Sequence, residues 1–156
     1  MPDRTNRICR NCKWQCCGTY PGVAHPDDFE TSEDLVEALA GGKWTVDKFH
    51  LRGRWIWFVR ASVKGMEGEL EHFATEGVCT FLGDDGCVLD AMDQPMMCRK
   101  IQPDPGQIGT CTMLLKVADM ARAWALYQEG VRAAVAAAKQ RTSVVRGPWG
   151  GERAAR

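Results

Sequence analysis

The sequence lacks a surplus of charge of either sign, because 20 lysines and arginines balance 20 aspartates and glutamates over 156 residues. Proteins that bind nucleic acid usually carry a basic excess, so we expect no nucleic-acid partner. Metal ligation by cysteines would make the balance negative, since each ligating thiol loses its proton.

The sequence also lacks a long apolar run. No segment approaches the roughly 20 apolar residues that a membrane-spanning helix needs. The N-terminal Met-Pro-Asp-Arg-Thr-Asn-Arg has no apolar core of a secretory signal. We therefore expect no membrane partner and a cytoplasmic location, where clustered cysteines indicate metal binding or catalysis more often than disulfides. A framework of four disulfides is the alternative, which the expected compartment and the chain length disfavour.

Motifs of independent catalysis are missing as well. The chain has no Gly-x-Gly-x-x-Gly fingerprint, no Walker loop and no Gly-x-Ser-x-Gly elbow. His25, His50 and His72 are scattered, and we expect them to be surface or packing residues rather than ligands or bases. Asp84 and Asp85 stand before a glycine, and turn chemistry explains them without a catalytic role. Whether the protein is an enzyme stays open.

Cysteine is what the sequence has in excess. The eight cysteines are Cys9, Cys12, Cys16, Cys17, Cys79, Cys87, Cys98 and Cys111. Thiolates select zinc, copper(I) or iron–sulfur clusters over hard cations, and Cys-x2-Cys is a common ligand pair. We predict that all eight are metal ligands, in two four-coordinate sites or in one cluster and one zinc site. The cofactor would be zinc or an iron–sulfur cluster, with [4Fe–4S] expected if the metal is iron.

The division of these ligands between centres is open at this point. Neighbouring side chains such as Cys16 and Cys17 tend to project in different directions, so one would join Cys9 and Cys12 while the other reaches a second centre. Basic residues also flank the cysteines: Arg10, Lys13, Arg99 and Lys100. They either offset thiolate charge or are simply solvated.

The remaining pattern predicts an α+β fold: a small cysteine-rich, metal-stapled domain with a short β-hairpin, a short N-terminal helix and a long C-terminal helix. Thr31-Ser-Glu-Asp34 resembles a capping box before a short helix that Gly41-Gly42 would end. Two β-rich runs, 44–51 and 54–59, flank Arg52-Gly53, which predicts a tight hairpin with Phe49 opposite Ile56 and His50 opposite Trp55.

This hairpin is apolar on both faces and is therefore expected to be covered on both, with its tryptophans in the core rather than on a binding platform. Residues 61–77 are typical of a loop or a frayed helix. Asp84-Asp85-Gly86 predicts a turn that presents two cysteines on either side of it.

A long helix is predicted from Thr112 to about Gln140. One face carries Met113, Val117, Met120, Trp124, Tyr127 and Val131 at helical spacing. This stripe is expected to pack on the domain rather than to form a dimer seam. We expect one domain over residues 1–145 and a flexible tail over residues 146–156.

The order of these cysteines resembles the YkgJ-type cysteine-cluster family, which is described as zinc- or iron-chelating. A CxxCxxxCC-like cluster is followed by two cysteines around a short loop, an Arg-Pro-x-x-Cys-Arg element and a last cysteine. The later part reads here Cys79-Thr-Phe-Leu, Gly86-Cys87-Val-Leu, Pro95-Met-Met-Cys98-Arg99 and Cys111. The resemblance spans residues 9–111 and implies eight ligands.

Two positions depart from that pattern. Gln94 stands where an arginine usually precedes the proline, and Asp90 stands where an aromatic residue is usual. Neither departure affects the cysteine ligands themselves. Each would change either a contact around the ligands or a surface for a partner. Some relatives carry iron–sulfur clusters, including proteins linked to lysine methylation of flagellin, so the resemblance also implies a route to an enzyme.

Three functions follow. The first is a metal-binding protein whose centre is structural, redox-active or concerned with metal handling. The second is an iron–sulfur enzyme or enzyme subunit, an oxidoreductase or a protein connected with methylation. The third is a protein-interaction module on a zinc scaffold, with the tryptophan-rich hairpin as its surface for an unidentified protein partner.

Overall fold

The computed structural model describes residues 18, 20–73, 76–103, 111–113 and 115–145. Its fold is a small α+β arrangement in which an antiparallel hairpin packs against a long C-terminal helical segment, as the sequence predicts. The predicted cysteine ligands Cys9, Cys12, Cys16 and Cys17 lie outside the described residues, and so does the predicted tail 146–156.

The elements follow one another in a simple order. They are a 3-10 turn (Pro26–Asp28), α1 (Ser32–Ala40), β1 (Trp44–Leu51), β2 (Arg54–Ala61), β3 (Leu82–Gly83), β4 (Gly86–Cys87), α2 (Met96–Arg99), β5 (Ile101–Pro103), β6 (Cys111–Met113), α3 (Val117–Trp124), a second 3-10 turn (Ala125–Tyr127) and α4 (Gln128–Val145). The strands pair as three separate antiparallel ladders, β1 with β2, β3 with β4 and β5 with β6.

The hairpin of β1 and β2 has the predicted register, with Phe49 opposite Ile56 and His50 opposite Trp55. Its two turn residues, Arg52 (φ 49°) and Gly53 (φ 78°), both have positive φ. A two-residue turn of this kind matches the right-handed twist of the strands it joins. The local sequence therefore accounts for the hairpin and for its register.

Both edges of the hairpin are paired with other backbone segments. On the β2 edge, Ala24 N–H donates to Val59 O (2.9 Å) and Ala61 N–H donates to the carbonyl oxygen of Gly22 (3.1 Å). On the β1 edge, Val46 exchanges two backbone hydrogen bonds with residues 70–72 of the stretch predicted as a loop or frayed helix. These pairings leave little edge for association with another strand.

Burial differs between the two ends of the hairpin. Phe58 is buried, and Trp57 is half-buried beneath the guanidinium of Arg132, 4.3 Å from the ring centre. Trp55, at the tip, is 55% exposed and packs only partly against His50 and the ammonium of Lys48. The prediction that both faces are covered is therefore wrong at the tip.

Helix α1 begins and ends where the sequence predicts. Thr31 is its N-cap and Asp34 completes the capping box, with reciprocal side chain to backbone bonds of 3.1 and 2.9 Å. The helix packs mainly against α4 through the buried Leu35, Val36 and Leu39. Local capping and tertiary burial thus agree, which is the usual condition for a well-defined short helix.

The C-terminal helix differs from its prediction at two places. Residues 112 and 113 belong to β6, which pairs with β5, so helix α3 begins at Val117. The 3-10 turn Ala125–Tyr127 then interrupts the α-helical repeat. A 3-10 turn advances about 120° per residue instead of 100°, so it changes the phase of the apolar stripe. Tyr127 is consequently 51% exposed, whereas Met120, Trp124 and Val131 are buried as expected.

The stripe packs on the hairpin and on α1 within the same chain, as predicted. None of the described helices is both long enough and apolar enough to cross a bilayer.

Candidate metal centre

Three predicted ligands lie in the described part of the chain with their side chains, and each comes from a different element. Cys79 forms an antiparallel bridge with Val63, just beyond the end of β2. Cys87 ends β4, and Cys98 lies in the short helix α2. Cys79 is buried and the other two are half-buried. Three separate elements thus carry the three cysteines.

The β3–β4 hairpin carries the predicted turn. Leu82 pairs with Cys87 and Gly83 pairs with Gly86, which leaves Asp84 and Asp85 as the turn residues. This confirms that these two carboxylates belong to a turn. Gly86 has φ 114°, a conformation that favours glycine.

Cys79 and Cys87 belong to a small apolar cluster. Ala61, Cys79 and Phe81 are its buried members, and Cys87 and Leu89 pack against them. The hydrogen bond from Val88 N–H to Phe81 O (2.8 Å) closes the strands on this cluster. The hairpin therefore brings the two sulfur-bearing residues to the same side of the domain.

Burial controls the protonation of both thiols. Burial raises the pKa of the Cys79 thiol, the nearby Cys87 adds to the increase, and the backbone N–H groups of Phe81 and Gly22 oppose it. Burial also raises the pKa of Cys87, against the backbone N–H of Leu89. Each sulfur thus faces the N–H two residues onward. Without a cation both groups favour the neutral thiol, and a soft metal ion is what would favour the thiolate.

Cys98 is held by a contact that the sequence does not reveal. Helix α2 has Pro95 at its N-cap and no side-chain cap of its own. The carboxylate of Asp28 accepts the N–H of Met96 (2.9 Å) instead, together with the N–H of His25 (2.9 Å). The other oxygen of Asp28 forms an ion pair with Arg99, the residue after Cys98. Asp28 therefore supports both ends of the single turn of helix α2 that carries Cys98, called the Cys98 turn below.

The contacts of Asp28 bear on whether the basic residues beside the cysteines are simply solvated. The Arg99 side chain is 27% exposed and paired with Asp28, so it is not simply solvated. Its Nε is buried and has no hydrogen-bond partner among the described residues. A buried donor beside a cysteine suits an anionic sulfur acceptor. Lys100 is exposed, and Arg10 and Lys13 lie outside the described residues.

The backbone segment 22–24 connects these elements. It pairs with β2, and Met97 N–H donates to the carbonyl oxygen of Val23 (3.3 Å), which joins the segment to the Cys98 helix. A Cβ built on Gly22 would lie 2.0 Å from the Sγ of Cys98, far inside the contact distance. This segment follows shortly after Cys17 in the sequence.

A buried polar network fixes the start of the same segment. Tyr20 O–H donates to Asp47 Oδ2 (2.8 Å), and the same oxygen accepts from Arg60 Nε (3.0 Å). The Arg60 guanidinium lies 4.8 Å from the centre of the Tyr20 ring and also donates to the carbonyls of Ala61 and His72. Burial, together with Asp47, raises the pKa of Tyr20, although Arg60 opposes the shift. The chain is therefore held to the hairpin directly after the first cysteine cluster.

The three histidines make contacts with other described residues of the domain. His25 Nδ1 accepts the N–H of Asp27 (3.0 Å) and so caps the first 3-10 turn. His72 is buried with its Nε2 2.9 Å from a carboxylate oxygen of Glu69, and His50 stacks on Trp55 at the tip of the hairpin.

No group of three or more His, Cys, Asp or Glu side chains is arranged as a metal site within the described ranges. The backbone of Cys111 lies in β6 opposite Pro103, and its side chain is among those not described. A complete ligand set would therefore need cysteines from outside the described residues.

Two residues of this region were missed by sequence reasoning. Asp28 is 68 residues from Met96, and the sequence contains no signal that links them. Gly22 stands between a proline and a valine in a turn-rich stretch, where glycine is usually explained by a turn.

No protein-family model, no curated protein and no solved structure matches this chain.

Proposed function

We propose that the protein is a metal-binding protein whose cysteines hold zinc or an iron–sulfur cluster, and that this centre staples the domain. The observation that supports this most directly is that Cys79 and Cys87 pack in one cluster with Ala61, while Cys98 lies against Gly22, whose carbonyl oxygen accepts the N–H of Ala61. The first cysteine cluster ends at Cys17, so only a short length of chain, about 18 Å when fully extended, separates it from that segment.

The chemistry of the donors supports the same conclusion. Buried neutral thiols are inert, and a cluster of them contributes little to packing that smaller apolar residues would not supply. A soft cation changes this balance, because it displaces the thiol protons and compensates the entropy of closing the long loop between the two cysteine groups. The buried Nε of Arg99 and the N–H groups near the sulfurs would stabilise the resulting negative charge.

The metal decides between a structural and a redox role. Zinc bound by four cysteines forms a closed site, which argues against catalysis. An iron–sulfur cluster would suit electron transfer or an enzyme subunit, and its potential would depend on hydrogen bonds to the sulfurs. The expected [4Fe–4S] type, the cytoplasmic location and the likeness to the YkgJ-type family are all parts of this proposal.

Anaerobic purification with elemental analysis tests the proposal. We expect stoichiometric zinc in a colourless protein, or iron with acid-labile sulfide and broad visible absorbance. Replacing Cys79 by serine should lower the metal content, whereas Val78→Ser, at the exposed neighbouring position, should leave it unchanged. A native protein without bound metal when purified from metal-supplemented cells would refute the proposal.

One observation favours an interaction role in addition. Trp55 is exposed at the tip of the hairpin beside Lys48, whose ammonium lies 4.7 Å from its ring centre and 4.6 Å from that of Phe73. Exposed tryptophan is typical of protein contact surfaces. A protein partner recovered with the native chain but not with Trp55→Ala would support this candidate.

A further inference from the structure

Gly22 has an unusual reason to be a glycine. Its φ lies outside the left-handed region, so the backbone there would accept any residue. The obstacle to a side chain is a single atom, because a Cβ at Gly22 would lie only 2.0 Å from Cys98 Sγ. The next atoms, Pro95 Cγ at 3.5 Å and Cys98 Cβ at 3.7 Å, would be in ordinary contact. The glycine therefore makes room for one sulfur.

The same residue lies beside the other cysteine group. The carbonyl oxygen of Gly22 accepts from Ala61 N–H (3.1 Å), and Ala61 is packed in the cluster that contains Cys79. The backbone N–H of Gly22 also faces the Cys79 thiol. Gly22 thus lies next to Cys98, whose sulfur occupies the space of a side chain, and its backbone lies next to the cluster of Cys79.

From this geometry we propose that Cys79 and Cys98 ligate one and the same metal centre. Gly22 lies between these two ligands and positions them. The inference rests on the proposed function and adds a division of ligands that the sequence leaves open. Sulfurs around one tetrahedral zinc are separated by roughly 3.8 Å, given a Zn–S distance of about 2.3 Å. Gly22 lies beside both cysteines, and a centre of that size next to this residue could take one sulfur from each.

The residue supplies two things to such a centre. Its missing Cβ allows the Cys98 sulfur to approach the strand, and its N–H is available to a sulfur of the Cys79 group. Hydrogen bonds from the backbone to metal-bound sulfur orient the ligand and tune the metal. Gly22 is a positioning residue in this scheme, since it contacts the ligands and not the metal.

The first test compares Gly22→Ala with Gly130→Ala. Gly130 lies in helix α4, has no positive φ, and a Cβ there meets no atom within 4 Å, which makes it a matched control. After anaerobic purification, Gly22→Ala should lose the metal equivalents that Cys98→Ala loses, and Gly130→Ala should keep the wild-type content. Wild-type metal content in Gly22→Ala would overturn the inference and leave the proposed function standing.

The second test asks whether the two cysteines share a centre. Cys79→Ser and Cys98→Ala should each lose the same equivalents, and the double variant should lose no more than either alone. Losses that add in the double variant would place the residues in separate centres and overturn the inference. Metal is counted on the soluble fraction of each variant that elutes as a single species in size-exclusion chromatography.

A third test works without metal, so it still decides if a variant cannot be loaded. In metal-free protein, Gly22→Ala should lower the unfolding temperature when Cys98 is present and should have little effect in the Cys98→Ala background, where the obstructing sulfur is gone. An equal decrease in both backgrounds would show that Gly22 does not serve the Cys98 sulfur. Absence of metal from the wild-type protein would count against the proposed function alone, because this cycle remains measurable.

Discussion

The backbone N–H of Met96 donates a 2.9 Å hydrogen bond to the carboxylate of Asp28, which lies 68 positions earlier in the chain. That carboxylate is the N-terminal cap of the helix that carries Cys98, since the helix has no cap of its own. A ligand-bearing turn of four residues cannot be stable by itself. Its geometry therefore depends on a distant side chain.

Replacement of Asp28 by alanine should destabilise the protein by about 1–3 kcal/mol, because it removes the acceptor of two backbone N–H groups and the partner of Arg99. Chemical denaturation with the urea midpoint as readout measures this change. Asp27→Ala is the control, since the Asp27 side chain is 76% exposed, and it should change stability by less than about 0.5 kcal/mol. Equal effects of the two variants would show that Asp28 does not support the Cys98 turn.

Tyr20→Phe should lower stability at neutral pH by about 1–2 kcal/mol, because Asp47 loses one donor in a buried network. The pKa of Tyr20 is raised in the folded protein, so the folded state keeps this proton at pH values where the unfolded chain has lost it. Stability from this group is thus fully present below the unfolded value of 10.0 and falls as the pH rises above it, by up to roughly 1.4 kcal/mol per pH unit.

Denaturation curves of wild type and Tyr20→Phe between neutral and strongly alkaline pH isolate this contribution, since the thiols are common to both proteins. The difference between the two should shrink above about pH 10. The other tyrosine, Tyr127, is exposed, and Tyr127→Phe serves as the control that should retain the wild-type dependence. A constant difference across the range would contradict the buried hydrogen bond.

Gln128→Leu should cost about 1–3 kcal/mol, because it leaves both backbone groups of Trp57 without their side-chain partner. Gln128 Oε1 accepts from Trp57 N–H (2.9 Å), and its Nε2 donates to Trp57 O (2.8 Å). Gln140→Leu makes the same chemical change at an exposed position of α4 and should be nearly neutral. Thermal unfolding of the two variants makes the comparison, and similar midpoints would mean that Gln128 does not tie α4 to the hairpin.

Metal removal should loosen the protein and expose Cys79. Cys79 is buried, so its alkylation in the metal-bound protein at pH 8 should be slow, both because the sulfur is covered and because ligation occupies it. Treatment with a strong chelator should weaken the native circular dichroism without abolishing it and should raise the alkylation rate of Cys79, as followed by mass spectrometry. An unchanged spectrum and an unchanged rate after chelation would contradict the stapling role.

The parts of the fold that follow from short-range rules were predictable from the sequence. The capping box of Thr31 and Asp34 specifies where α1 begins, and the Arg52-Gly53 turn specifies the register of the hairpin. In both cases the deciding contacts lie within a few residues of one another. The turn at Asp84 and Asp85 follows from the same kind of local chemistry.

Interruptions of the C-terminal helix were not predictable in this way. Residues 112 and 113 have a helical pattern, yet pairing with β5 places them in a strand. The 3-10 turn before Gln128 turns Tyr127 outward, although its spacing fits the apolar stripe. Tertiary pairing and packing overrode the local periodicity at both positions.

The sequence by itself determined that sulfur chemistry is the central question, because eight cysteines in this order suit soft metal ions. Only the tertiary structure decided which residues surround three of them. Asp28, in the first 3-10 turn, supports the helix that carries Cys98. Gly22 leaves room for the Cys98 sulfur beside the cluster of Cys79. Such contacts depend on where the folded backbone brings separate segments together, and neither composition nor spacing encodes that in a form that can be read locally.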